Sequence, residues 1–165
     1  MIIYEDILRE FQKRKVRYVL VGGIAVNLLG SLRSTADMDI LVEMTDVNLA
    51  KVVSILKKKG YRVKQPVDPM DIADSKKREG WIKNKHMKAF NFYKENEFKE
   101  VDIIIESPVS FEEAKDDMVR VRSGDITIPV ISIDNLIKMK KGTGRSVDRL
   151  DMEELKKIKK LKSAG

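Results

Sequence analysis

Apolar and polar residues recur along this chain with two periods, and the switches between them mark its elements. Over 3–15, Ile3, Ile7, Leu8 and Phe11 fall on one face of a helix and Glu5, Arg9, Lys13 and Arg14 on the other, which predicts an amphipathic cover for a sheet. Tyr18 to Val21 then reads as an apolar strand, Gly22 and Gly23 as a turn, Ile24 to Leu29 as a short apolar helix, and 37–43 as a second strand after a polar link. Thr45 or Asp46 can cap a following helix in which Val47, Leu49, Val52, Val53 and Leu56 recur at helical spacing. Lysines close that helix, Gly60 offers the left-handed cap, and 61–64 is a short strand.

Residues 66–88 obey neither period. Asp68, Asp71 and Asp74 either line one side of a short helix in imitation of a metal cluster or, the better reading, sit in first turns where acids favour the helix dipole. Lys76, Lys77, Arg78, Lys83, Lys85 and Lys88 surround Trp81, a local mix suited to stacking a nucleic-acid base, against the plainer reading of a solvated loop. His86 is the single histidine and has no recognisable catalytic partner. Period two returns over 86–93 and 98–106, two antiparallel strands joined at 94–97, with Val101, Ile103 and Ile105 on one face and Asp102 and Ile104 on the other. A short helix over 110–118 and a hairpin of 119–122 with 126–131, turning at Gly124 and Asp125, follow. Ser132 or Asp134 caps the next helix, and a last one carries Val147, Leu150, Leu155, Ile158 and Leu161 roughly in phase.

This order of elements predicts an α/β (α+β) fold, a mixed twisted sheet flanked by helices, with a core of about 16–131 and a C-terminal helical segment of about 132–163. At 165 residues the chain fits one domain, 1–165. With 42% hydrophobic and 36% charged residues it has the composition of a folded globular protein, not a disordered one. No apolar run approaches a membrane span and the first ten residues carry acids where a signal peptide has bases, so a cytoplasmic location without membrane contact is expected. The absence of cysteine excludes disulfides, thiolate metal sites and cysteine nucleophiles. A net charge of +7 favours anionic partners, although the bases are dispersed and read mostly as solvated helix faces.

The candidate chemistry lies in 18–43. Glycines let backbone N–H groups approach an anion closely, and a helix opening at Gly22 and Gly23 would add donors for phosphates. In a strand, Asp37 and Asp39 point to one face while Met38, Ile40 and Val42 turn to the core, so two hard oxygen ligands share one small volume. That pairing suits Mg²⁺ (or Mn²⁺), which binds through one or two carboxylates plus substrate phosphates.

The glycine pair followed by Asp37-Met38-Asp39 resembles the signature of the DNA polymerase β-like nucleotidyltransferase superfamily, over about a third of the chain. That resemblance implies a third carboxylate on a later strand, for which Asp102 is the candidate. Gly23 stands where many members carry serine, a hydroxyl that Ser31, Ser34 or Thr35 would have to supply. Lys140, Arg145, Asp148 and Asp151 resemble a C-terminal motif of minimal, toxin-antitoxin-associated bacterial nucleotidyltransferases of the AbiEii type, which implies that Lys140 and Arg145 face the phosphates and that Asp148 orients them.

The resulting expectation is transfer of a nucleoside monophosphate from an NTP to a hydroxyl acceptor, with release of pyrophosphate. Asp37, Asp39 and Asp102 would hold two divalent ions, Asp102 would also accept the proton, and Gly22, Gly23, Ser31, Arg33, Lys140 and Arg145 would bind the nucleotide. The acceptor, whether a protein, a tRNA end, an antibiotic or another small molecule, stays open, as do the base of the NTP and the oligomeric state. Two rival readings remain: a weakly active or inactive member of the fold that works as an antitoxin or nucleotide sensor through a partner protein, and a basic nucleic-acid-binding domain centred on Trp81.

Overall fold

Tyr18–Val21 (β1) is buried at all four positions, as a strand covered on both faces must be. It lies inside a seven-stranded sheet in the computed structural model, which describes residues 3–32, 34–141 and 143–164. The other strands are β2 (Asp37–Val42), β3 (Arg62–Val63), β4 (Ala89–Lys94), β5 (Lys99–Ile104), β6 (Val119–Ser123) and β7 (Ile126–Val130), in the order β3-β4-β5-β2-β1-β7-β6. The β1·β2, β3·β4, β4·β5 and β6·β7 pairs are antiparallel, while β2·β5 and β1·β7 are parallel, so the sheet is mixed as the sequence pattern predicts.

The helices are α1 (Glu5–Lys13), α2 (Gly22–Leu28), α3 (Asp46–Lys58), α4 (Ser75–Lys85), α5 (Phe111–Asp116), α6 (Ile133–Lys140) and α7 (Ser146–Ala164). In α1, Ile7, Leu8 and Phe11 are buried, acids occupy the first turn and Lys13 the last. Ile3, expected on that face, precedes the helix and is exposed. Thr45 caps α3 by accepting from the Asn48 N–H at 3.3 Å. Asn48 is itself buried and clamps the chain by accepting from Arg17 N at 2.8 Å and donating to the carbonyls of Arg17 and Glu43. Val47, expected in the core, is 71% exposed, because it lies on the outer side of the first turn of α3.

The unpatterned stretch 66–88 is ordered by its acids acting as caps. Asp68 caps a 3-10 turn over Pro69–Ala73, Asp74 caps α4, and Asp71 pairs with Lys77 at 3.0 Å, so these three serve local structure. Trp81 is not presented for stacking on a base. It packs edge-to-face on Phe90 with ring centroids 5.9 Å apart and adjoins the core. Arg78 is buried, donating to the Ile72 carbonyl at 2.7 Å and to Asp46 and the Met44 carbonyl at 3.2 Å. Both features count against the nucleic-acid reading of this segment. His86 takes the left-handed C-cap of α4, with φ of 50°, and is exposed.

In α7 only Leu155 of the expected apolar stripe is fully buried, with Ile158 partly so; Leu150 and Leu161 are 61% and 74% exposed. The buried side of the helix is carried instead by Asp148, Asp151 and Leu155, while Leu150 lies on the wall of an open depression with Gly30, Ser31 and Leu32. No helix among the described residues is long and apolar enough to cross a membrane.

Candidate active site

Parallel pairing of β2 with β5 places Asp37 opposite Glu100 and Asp39 opposite Asp102. Each strand therefore contributes two carboxylates at successive same-face positions, while Met38, Ile40, Val101 and Ile103 fill the core on the other face. Asp37, Asp39 and Asp102, singled out from the sequence, are brought together. Glu100 was missed, although Glu-x-Asp repeats in β5 the spacing of Asp-x-Asp in β2. Ligand oxygens of Asp37, Glu100 and Asp102 all lie within 4.8 Å of one another. Three hard oxygens so close, on strands whose spacing the backbone fixes, match what a divalent cation such as Mg²⁺ or Mn²⁺ requires.

Repulsion shows in the proton affinities. Burial first, and then the charge of Asp102, pushes Asp39 up to about 7, with Lys140 opposing. Asp102 is raised by burial, against the hydrogen bond from Asn91, and Asp37 is raised by burial and by Glu100, against Lys64. Two neighbours steady the rim: Lys64 pairs with Glu100, and the Tyr4 hydroxyl accepts from the Glu100 N–H at 3.0 Å while donating to the Ala36 carbonyl.

Gly22 lies against the acids. Its φ is +72°, and a Cβ there would sit 2.2 Å from Asp39 Oδ2, so both its conformation and its contact exclude a side chain. Gly23 is buried in the first turn of α2. Gly22 and Asp39 share a cleft of about 120 Å³ with Lys140, Thr143, Arg145 and Asp148. Lys140 is buried, 3.2 Å from Asp148 and 3.0 Å from Asp151. Arg145 reaches Asp148 at 2.7 Å and remains 70% exposed. Asp148 thus touches both basic side chains, as expected; burial raises its pKa but Arg145, Thr143 and Lys140 together hold it below the ordinary value. Asp151 adds a second carboxylate on Lys140. Ser31 is buried on a different depression of about 520 Å³ that it shares with Leu32, Val147, Leu150 and Asp151, and it does not line the Asp39 cleft. Arg33 lies outside the described residues.

A family model described as aminoglycoside-2''-adenylyltransferase matches residues 4–155, an interval that includes every one of these groups. The chain belongs to the aminoglycoside-2''-adenylyltransferase family. It is accordingly a nucleotidyltransferase, and its fold repeats in solved members of that class. The lincosamide antibiotic adenylyltransferase LnuA, in its lincomycin-bound structure, superposes with a TM-score of 0.62 at 22% identity, covering 92% of this chain and 93% of the other. ANT(2")-Ia in complex with adenylyl-2"-tobramycin superposes with a TM-score of 0.57 at 14% identity, covering 98% and 94%. A solution structure of ANT(2'')-Ia gives 0.55 at 14% identity, covering 97% and 87%. No curated protein sequence matches the chain. Membership in this family supports the nucleotidyltransferase part of the sequence reading and lends no support to the toxin-antitoxin, AbiEii-type part.

Proposed function

We propose that this adenylyltransferase-family protein transfers AMP from ATP to a hydroxyl of an aminoglycoside or lincosamide antibiotic. The observation that carries the proposal is the meeting of Asp37, Asp39, Glu100 and Asp102 beside a glycine that admits no side chain and a cleft lined by Lys140 and Arg145. The family match and the likeness to adenylyltransferases solved with lincomycin and with adenylylated tobramycin support the choice of nucleotide and acceptor class.

In this reaction the acceptor oxygen attacks the α-phosphorus, the bond from that phosphorus to the bridging oxygen of the β-phosphate breaks, and pyrophosphate departs. The acceptor proton passes to a carboxylate, for which Asp102 is the half-buried candidate with a raised pKa. Asp37, Asp39, Asp102 and the newly placed Glu100 would hold two divalent ions, which when bound neutralise phosphate charge and lower the pKa of the attacking hydroxyl. The Gly22 and Gly23 backbone, Lys140 and Arg145 bind the triphosphate. Ser31, from its separate depression, is a weaker candidate for that task.

The test incubates the protein and Mg²⁺ with each α-labelled NTP in turn and with tobramycin, lincomycin or cell extract, and looks for the labelled product by chromatography and mass spectrometry. Transfer from ATP to one of them is expected. Labelled protein or RNA from cell extract, with neither antibiotic modified, would overturn the acceptor class; no label in any product would overturn the activity.

A further inference from the structure

Asp102 is also held from the strand on its far side. Asn91 stands opposite it in the antiparallel β4·β5 ladder and donates through Nδ2 to Asp102 Oδ1 at 2.7 Å. Behind Asn91, just past the end of β3, lies Gln65. Its Oε1 accepts the backbone N–H of Asn91 at 3.0 Å, and its Nε2 donates to Asn91 Oδ1 at 2.7 Å and to the Ala89 carbonyl at 3.3 Å.

The polarity of this chain of bonds is not arbitrary. A backbone N–H can only donate, so the end of Gln65 that meets it must be the amide oxygen. The Gln65 NH₂ is then directed at Asn91 Oδ1, and Asn91 has only its own NH₂ to turn toward Asp102. One irreversible donor sets the direction of every bond that follows, which removes the usual ambiguity of side-chain amide orientation. The Ala89 carbonyl, which can only accept, agrees independently.

We propose that Gln65 and Asn91 are positioning residues for Asp102. Asn91 engages Oδ1 from the β4 side and Gln65 holds Asn91 in that orientation, which fixes the carboxylate's rotation and leaves Oδ2 as the oxygen for a cation or an acceptor hydroxyl. Partners of this kind around a metal ligand are worth about 10–100-fold in metal affinity or activity. The inference rests on the reading of Asp102 as a site carboxylate.

Gln65→Glu, Asn91→Ala and the double variant test it. In Gln65→Glu the new carboxylate would still accept the backbone N–H but could not donate to Asn91 Oδ1, so the Asn91 amide would turn its oxygen against Asp102. Free Mn²⁺ is followed by electron paramagnetic resonance during titration, alongside kcat and KM for ATP. A fall of about 10–100-fold in Mn²⁺ affinity or kcat is expected for each single variant, with KM for ATP within about twofold and the melting temperature held. The double variant should be no worse than Asn91→Ala, because Gln65 acts only through Asn91. Independent, multiplying effects, or unchanged Mn²⁺ affinity and kcat in Gln65→Glu, would overturn the proposal. If the wild type binds Mn²⁺ but adenylylates no antibiotic, the acceptor reading fails while the Mn²⁺ titration still decides this one.

Discussion

Asp39→Asn, studied without metal, measures what it costs to gather these carboxylates. Asp39 titrates near 7 rather than 3.8, chiefly because it is buried and then because Asp102 is charged beside it. A rise of that size penalises the ionised form by on the order of 4 kcal/mol, at 1.36 kcal/mol per pKa unit, an upper limit that water entry and local relaxation will reduce. The folded-state value lies above the unfolded one, so the contribution to stability is fully present below about pH 4 and is lost as the pH rises through 7. Asparagine has no charge to desolvate and can donate to Asp102. In EDTA at pH 8.5 the variant should therefore be more stable than wild type by about 1–3 kcal/mol, read from urea midpoints, or about 2–4 °C in Tm for each kcal/mol. At pH 5, between the two values, the difference should shrink to roughly a third of that, and it should vanish below about pH 4. Saturating Mg²⁺ with ATP should reverse the order, because a cation that binds only the folded, ionised site stabilises wild type by about 2.7 kcal/mol at a hundredfold excess over Kd. Transfer from α-labelled ATP should be abolished throughout. A variant less stable than wild type at both pH values in EDTA would refute the reasoning, since Asp39 would then be held by favourable bonds to its charged form.

Gly22→Ala should cost about 1–2 kcal/mol for the left-handed backbone and displace Asp39 as well, so Mn²⁺ titration should show a weakened site even at temperatures where circular dichroism reports a folded protein. Lys140→Met removes the ammonium between Asp148 and Asp151 and should lower stability by about 3–5 kcal/mol in denaturant melts, much of it recovered in Lys140→Met with Asp151→Leu. Tyr4→Phe deletes the hydroxyl shared by the Ala36 carbonyl and the Glu100 N–H and should cost about 1–3 kcal/mol, with slower transfer because the Asp37 and Glu100 ends of β2 and β5 are no longer tied.

The strands and the Asp37–Asp39 pair were legible because a period of two and a glycine turn are local signals. The rest of the site is non-local. Glu100 became a member only through the parallel register that sets it against Asp37, and Asn91 only through the antiparallel register that sets it against Asp102. Helical periodicity names a face but not its neighbour, which is why Leu150 and Leu161 read as core and lie in solvent. Trp81 misled in the same way: its bases are near in sequence, while Phe90, with which its ring packs edge-to-face, comes from the following strand.

The charge of the whole chain, +7, has the opposite sign to the charge at its centre. Dispersed surface lysines can attract a nucleotide, but they cannot explain why four acids stay together, since side-chain forces among those acids are repulsive. What places them is the backbone ladder of β2 with β5. Strands in a sheet lie about 4.8 Å apart and residues on the same face recur at every second position, so two parallel strands with Asp-x-Asp and Glu-x-Asp in register make a two-by-two array of carboxylates whatever those groups prefer. Tyr4 fixes one end of the array and Asn91 its outer side. Substitutions that disturb this pairing, even where they touch no carboxylate, should therefore weaken cation binding before they unfold the protein. Val101→Gly, in the core beneath Glu100 and Asp102, is the sharpest case: Mn²⁺ affinity should fall in conditions where the melting curve still shows a single cooperative transition, and an unchanged affinity would mean that the acids are held by something other than the sheet.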